Sequence, residues 1–303
     1  MDAPSGPPVR RHVAVGDMRM GDHLGLVYDN DTERRSILVS FVRDGLRDNH
    51  KIIYKSDSAE PDALVEWLAA DPGAEGLDLA QAVADDQLVV RTAREAYLST
   101  GRFDPDEIIG LSLTELEVAL VQGWGGVRLA GEQTFALRGW PGTERFGEFE
   151  RKICEAFAAL APAPAMAICQ FDRRWFRSRP LESLLESHHG LVHVDDVYYD
   201  GVLRITPTFT PPGLALAGAV EESTFPALTE ALQRLGGETG HLCLDLTDLD
   251  FCDMAGLRVM LAARTSPDGQ ERMVLLRGVG ETLAGLLKIA GWDDLPGLVV
   301  EEG

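Results

Sequence analysis

The densest run of residues able to do chemistry in this 303-residue chain is HHGLVHVDD at 188–196. Its His188, His189, His193, Asp195 and Asp196 supply imidazole and carboxylate, both standard metal ligands. Their spacing matches no established metal site, and such a run after a helical stretch is expected to be ordinary surface, so no metal is assigned. Cys154, Cys169, Cys243 and Cys252 lie in apolar runs without a CxxC pair, as reduced buried thiols do. There is no GxSxG, no HExxH and no local Cys-His signature. No catalytic residue and no cofactor are therefore read, although a triad assembled in space would leave no such trace.

A second group lies near the ends of strand-like runs: His23, Tyr28, Glu132, Trp140, Asp172 and Arg173. Together they could bind a small ligand through hydrogen bonds, charge and stacking, because loops converge at the carboxyl edge of a parallel sheet. The plainer readings stay open: Glu132 pairing with Arg128 or Arg173, and Trp140 serving the core. A third group, Asp253, Met254, Ala255, Gly256 and Leu257, begins a helix that Asp253 is placed to cap. There the plain reading is an N-cap followed by core residues, with Leu257, Val259, Met260 and Leu261 at helical periodicity.

These residues have to be positioned by a strand–helix alternation that starts at Gly21. HLGLVY, IIYKS, QLVVRT (87–92), GVRLAGE (126–132) and MAICQF (166–171) read as strands. Helical stretches are expected around 32–46, 61–70, 106–122, 143–160 and 181–188. That rhythm predicts a mainly parallel sheet covered on both faces. Between 191 and 212 the pattern changes to a strand-like, proline-punctuated passage, and the domain boundary is placed there. LALAGAV, HLCLDL (241–246), MVLLRG (273–278) and LVVEE then alternate with helices expected around 225–235, 255–264 and 282–289, a module of ordinary domain size.

With 49 acidic and 28 basic residues the net charge is -21. No segment gathers enough Lys and Arg to neutralise a row of phosphates, so neither nucleic acid nor an anionic membrane is an expected partner. No apolar run is long enough to span a bilayer, and the first residues hold no apolar stretch of secretory type. A cytoplasmic location is expected.

LDLTDLDFCDMAGLRVML at 244–261 places a buried strand, a short acidic turn and a helix start in succession. It resembles the core motif of STAS domains, the anti-sigma-factor antagonist family, whose usual form is an apolar strand, Asp-Leu-Ser or Thr, then Phe-Ile-Asp-Ser-Ser-Gly-Leu. GLALAGAV (213–220) matches the family's opening strand, and LLKIAGWDDL (286–295) its last helix and following turn. The resemblance implies a surface at 253–257 for an anti-sigma factor, its kinase or another STAS protein. It also implies phosphorylation of the Ser before the motif Gly, whose added charge of about -2 releases the kinase. Here that position is Ala255, preceded by Met254, so no hydroxyl is available.

Residues 11–193 resemble the MEDS domain, the sensory domain named after methanogen and methylotroph regulators that respond to dichloromethane. The carrying blocks are GDHLGLVYDND (21–31), FVRDGLRDNHKIIY (41–54), AYLSTGRFDPDEII (96–109), VRLAGEQTFALRGWPG (127–142), GEFERKI (147–153) and CQFDRRWF (169–176). The family looks related to the RecA and KaiC type of ATPase fold, which would put a phosphate-binding loop at DNDTERRS (29–36). That loop lacks the glycines and Lys a P-loop needs, and Asp29 and Asp31 would repel an anion, so ATP hydrolysis is not expected.

The whole chain is thus expected to be α/β. A RecA/KaiC-like, mainly parallel sheet with helices on both faces spans 11–193, after a disordered tail at 1–10. A linker or connecting strand at 194–212 leads into a STAS-type α/β domain at 213–303. The expected function is a non-catalytic bacterial signalling regulator, a ligand sensor coupled to a partner-binding module. The alternatives are a nucleotide- or ligand-dependent enzyme and a scaffold of a STAS assembly; a homodimer stays open.

Overall fold

The structure is a computed structural model that describes residues 11–160, 163–235, 240–266 and 268–303. The tail expected at 1–10 lies outside the described residues. The chain divides into two compact units between His193 and Val194.

The first unit runs β1 (His12–Ala14), β2 (His23–Tyr28), α1 (Asp31–Arg47), β3 (Lys51–Ser56), α2 (Pro61–Ala69), α3 (Leu79–Ala84), β4 (Leu88–Thr92) and α4 (Ala93–Tyr97), then α5 (Pro105–Val121), β5 (Val127–Glu132), α6 (Phe146–Ala159), β6 (Ala165–Asp172), α7 (Ser178–Leu185) and β7 (Leu191–His193). Its seven strands are ordered β1-β7-β2-β6-β5-β3-β4, and every neighbouring pair is parallel. Central β6, AMAICQFD, is buried at every position, as befits a strand covered on both faces.

Strand alternation sorts its side chains. Ala165, Ala167, Cys169 and Phe171 join the apolar clusters under α5 to α7, whereas Gln170 points to the opposite face, where Arg34 of α1 donates to it at 2.9 Å. Likewise Val127 of β5 lies under α5 and α6, and Glu132 faces Arg34. At Gly25 of β2 a Cβ would stand 2.6 Å from Leu185, so glycine lets α7 approach the strand. The helix starts follow local signals: Asn30 accepts from the amides of Thr32 and Glu33, and Asp104, followed by Pro105, caps α5.

The second unit runs β8 (Tyr198–Tyr199), β9 (Leu203–Phe209), β10 (Pro212–Val220), α8 (Phe225–Arg234), β11 (His241–Asp245), β12 (Leu249–Cys252), α9 (Met254–Ala262), β13 (Met273–Val279), α10 (Glu281–Ala290) and β14 (Leu298–Glu302). Its sheet is ordered β14-β13-β11-β10-β9-β8, with β12 also pairing with β10. The β10–β9 and β9–β8 pairs are antiparallel, the other pairs parallel.

The stretch expected as a linker or connecting strand, 194–212, therefore holds a strand of this sheet: β9 is paired along its whole length with β10. Leu203 and Ile205 alternate along it as its buried positions. Both join Leu216, Leu228, Leu257, Met260, Val274 and Leu287 in the core. No described helix is long and apolar enough to cross a membrane.

Candidate functional site

The loops after β2, β3, β5 and β6 converge at the carboxyl edge of the first sheet, around an open cleft of about 690 Å³. Such convergence follows when parallel strands run to both sides of a crossover. Arg34, in the first turn of α1, is the hub. Its Nε donates to Gln170 and its Nη2 to the Tyr54 hydroxyl, each at 2.9 Å, and it pairs with Glu132. Glu132 also accepts from the backbone amides of Asp57 (3.0 Å) and Ser58 (2.7 Å) and from the Ser58 hydroxyl (3.1 Å).

Across the cleft Arg174 binds both oxygens of Asp31, at 3.0 and 2.9 Å, and both oxygens of Asp172. Arg138 donates to Asp57 at 2.6 Å. Each lining carboxylate, Asp31, Asp57, Glu132 and Asp172, thus has a guanidinium partner. Arg34 lies 5.0 Å from the ring centres of both Tyr28 and Trp67, and Trp175, at the rim, is 70% exposed. Burial pushes the Tyr28 hydroxyl well above its ordinary pKa, so it stays protonated.

The phosphate position suggested by the ATPase resemblance is already taken. The Thr32 and Glu33 amides bind the Asn30 side chain at 2.8 and 3.1 Å, and the amides after β3 bind Glu132. Backbone donors that could cradle a phosphate are thus satisfied by the chain's own oxygens.

Of the six residues expected to line a pocket, Tyr28, Glu132 and Asp172 do so. His23 does not. It differs from Tyr28 by an odd number of positions in one strand, so it points to the opposite face, and it starts the strand where Tyr28 ends it. Arg173 is exposed, and its neighbour Arg174 takes the role. Trp140 is not among the lining residues; it packs near Phe135, with Arg94 and Arg138 over its ring. Neither open pairing of Glu132 is realised, since Arg128 stacks on Phe41 and pairs with Asp48. Sequence reasoning missed Arg34, Asp57, Trp67 and Arg174. A positive residue one turn into the helix after β2 was the available signal.

His23 lies instead among Glu150, Cys169 and His188, with donor atoms all within 4.8 Å of one another. His188, expected at the surface, has a fully buried side chain. A smaller cavity of about 80 Å³ lies between α5, α6 and the sheet, lined by apolar side chains and by Lys55 and Cys169. Burial, then nearby Arg91, lowers the Lys55 pKa to about 8.

In the second unit Asp253 caps α9, its carboxylate accepting from the Gly256 amide at 2.7 Å. Asp253, Met254 and Ala255 are half-buried. Gly256 and Leu257 are buried, and Leu257, at 0% exposure, belongs to the core and offers nothing to a partner. Phe251, just before the helix and 53% exposed, was not anticipated. Its alternation partner Cys252 is buried, which turns Phe251 outward.

The profile of the family described as MEDS, the MEthanogen/methylotroph, DcmR Sensory domain, matches residues 22–189. That described as Mlab, STAS domain, matches 204–300. No curated protein matches the chain. Among solved structures, an anti-sigma factor antagonist from Mycobacterium paratuberculosis is similar over 34% of this chain and 86% of its own, at 17% identity and a TM-score of 0.28. A KaiC-like protein from Pyrococcus horikoshii is similar over 69% of this chain and 88% of its own, at 12% identity and a TM-score of 0.44. The chain belongs to the MEDS sensory-domain family and carries a STAS domain behind it, the domain composition of a signalling regulator.

Proposed function

We propose that the chain is a non-catalytic cytoplasmic regulator whose MEDS unit binds a small organic ligand in the carboxyl-edge cleft. Its STAS unit engages an anti-sigma factor, a kinase of that class or another STAS protein through the start of α9. The observation that carries this reading is the makeup of that helix start. A half-buried Asp253-Met254-Ala255 turn beside exposed Phe251 offers an apolar contact surface with no hydroxyl to phosphorylate. A partner held there is not released by kinase action at this site, because no phosphate can be added to Ala255.

The cleft suits a neutral or zwitterionic molecule better than a nucleotide. Its volume is that of ordinary ligand sites, Trp67 and the exposed rim residue Trp175 supply aromatic surface, and its guanidiniums are already paired.

The test is affinity of the full chain for anti-sigma kinases of the same genome, with and without ATP. Binding that survives ATP, and that Ala255→Glu weakens by more than about tenfold through a desolvated charge, is expected. Loss of binding on ATP addition, or unchanged affinity in Ala255→Glu, overturns the reading.

A further inference from the structure

The side chains of His23, Glu150 and His188 are fully buried, and Cys169 is 5% exposed. His23 Nε2 lies 3.3 Å from Cys169 Sγ and 3.9 Å from Glu150 Oε2, and His188 Nε2 lies 3.5 Å from Glu150 Oε2. Ligand atoms around a tetrahedral zinc, with bonds of about 2.0–2.3 Å, stand roughly 3.3–3.6 Å apart. The four donors are thus already close to the spacing such an ion imposes.

Glu150 departs from the rule that buried carboxylates are paired. Among the described residues the weak thiol donor of Cys169 is its only hydrogen-bond neighbour, and no N–H or O–H reaches either oxygen in bonding geometry. No Lys or Arg is paired with it among the described ion pairs, only the two imidazoles.

We infer that His23, Glu150, Cys169 and His188 form a buried site for a divalent transition-metal ion of the zinc type. The donor set closes the charge balance: one carboxylate, one thiolate and two neutral imidazoles neutralise a dication. Imidazole and thiolate select zinc or its neighbours over magnesium or calcium. Four protein ligands leave no open position, so the site is structural.

Its frame is rigid. His23 and Cys169 sit on paired strands, on the face toward α6, which carries Glu150, while His188 follows α7. His188 Nδ1 lies 3.1 Å from the Leu184 carbonyl, which can only accept. That fixes the proton on Nδ1 and leaves the Nε2 lone pair facing Glu150, the supporting contact that ligating histidines usually have. Phe157 stacks on His23 at 5.6 Å, and Phe171 meets the His188 ring edge-on. Burial pushes the Glu150 carboxyl up to about 8 and the Cys169 thiol well above its usual range, as expected of acids waiting for a cation. This inference is independent of ligand binding in the cleft and of any STAS partner.

The experiment uses the full chain, stripped with a chelator and titrated with Co²⁺ and with Zn²⁺ against a chromophoric competitor. One ion per chain is expected. The cobalt form should show the intense visible bands of tetrahedral coordination and a near-ultraviolet thiolate charge-transfer band. Cys169→Ser should abolish that band. Glu150→Gln or His188→Asn should weaken zinc binding by more than the ~10–100-fold lost when a supporting contact is removed. His189→Asn, outside the donor set, should leave zinc binding within about threefold of the unaltered chain. Absence of tetrahedral cobalt bands in the unaltered chain, which needs no variant to fold, overturns the inference. So does a charge-transfer band that persists in Cys169→Ser.

Discussion

Two polar clusters occupy the same pair of strands in the first unit and are built on opposite terms. β2 begins at His23 in one and ends at Tyr28 in the other; β6 contributes Cys169 to one, Gln170 and Asp172 to the other. At the carboxyl edge Glu132 accepts from Arg34, Tyr54, Ser58 and two backbone amides, so this carboxylate is fully supplied with donors, although Gln170 Nε2 beside it has no partner among the described residues. Under α6, Glu150 has no such partners. A carboxylate supplied with five donors holds loops in place and demands nothing further, whereas one with only a weak thiol donor and two imidazoles around it calls for a cation.

The sharpest way to break this contrast is to remove one charge from each cluster. Glu132→Gln should destabilise the chain by about 3–5 kcal/mol, because it leaves Arg34 buried without a counter-charge and sets an amide donor against the Asp57 and Ser58 amides. Glu150→Gln, measured by the same urea unfolding with chelator present, should instead stabilise the chain by about 1–3 kcal/mol near neutral pH, because the ion-free carboxyl, raised from 4.5 to about 8, must take up a proton on folding that the unfolded chain has lost. Equal losses in the two variants would erase the distinction.

A smaller effect should come from Lys55, which shares the smaller cavity with Cys169 and faces the Tyr97 ring and Ser112, with Arg91 nearby. Its pKa falls from 10.5 to about 8 on folding. Between those values the unfolded chain binds more protons, so stability rises with pH from about 8 to 10.5 and is flat below. Lys55→Met should therefore gain about 1–3 kcal/mol at pH 7 and lose that rise. A variant that keeps the same pH slope would show that another group titrates.

The smallest expected effect lies in the second unit, where Asp253→Ala removes a helix cap worth about 1 kcal/mol. A loss confined to that size, read by thermal unfolding, would mark Asp253 as a cap. A larger loss of partner affinity in the same variant would add a contact role.

Much of the fold was legible in the sequence, because strand and helix signals are local. HLGLVY, MAICQF and LALAGAV became β2, β6 and β10, and the helices expected at 32–46 and 106–122 became α1 and α5. The passage holding β9 reads as strand-like in the sequence but stands between the domains as a linker or connecting strand, because only pairing with β10 assigns it to the second sheet. Three of six expected cleft residues line the cleft. The other three failed for local geometric reasons: strand face for His23, a shift of one position for Arg173, aromatic packing for Trp140.

The sequence by itself determined the α/β alternation, the two-unit order, the Asp253 cap and the missing hydroxyl at Ala255, since each is a property of neighbouring residues. Only the tertiary structure decided that Arg34 meets Glu132 and that His23, Glu150, Cys169 and His188 share one buried space. Those contacts join residues far apart in the chain, and strand order, register and face bring them together, none of which is written in any local spacing.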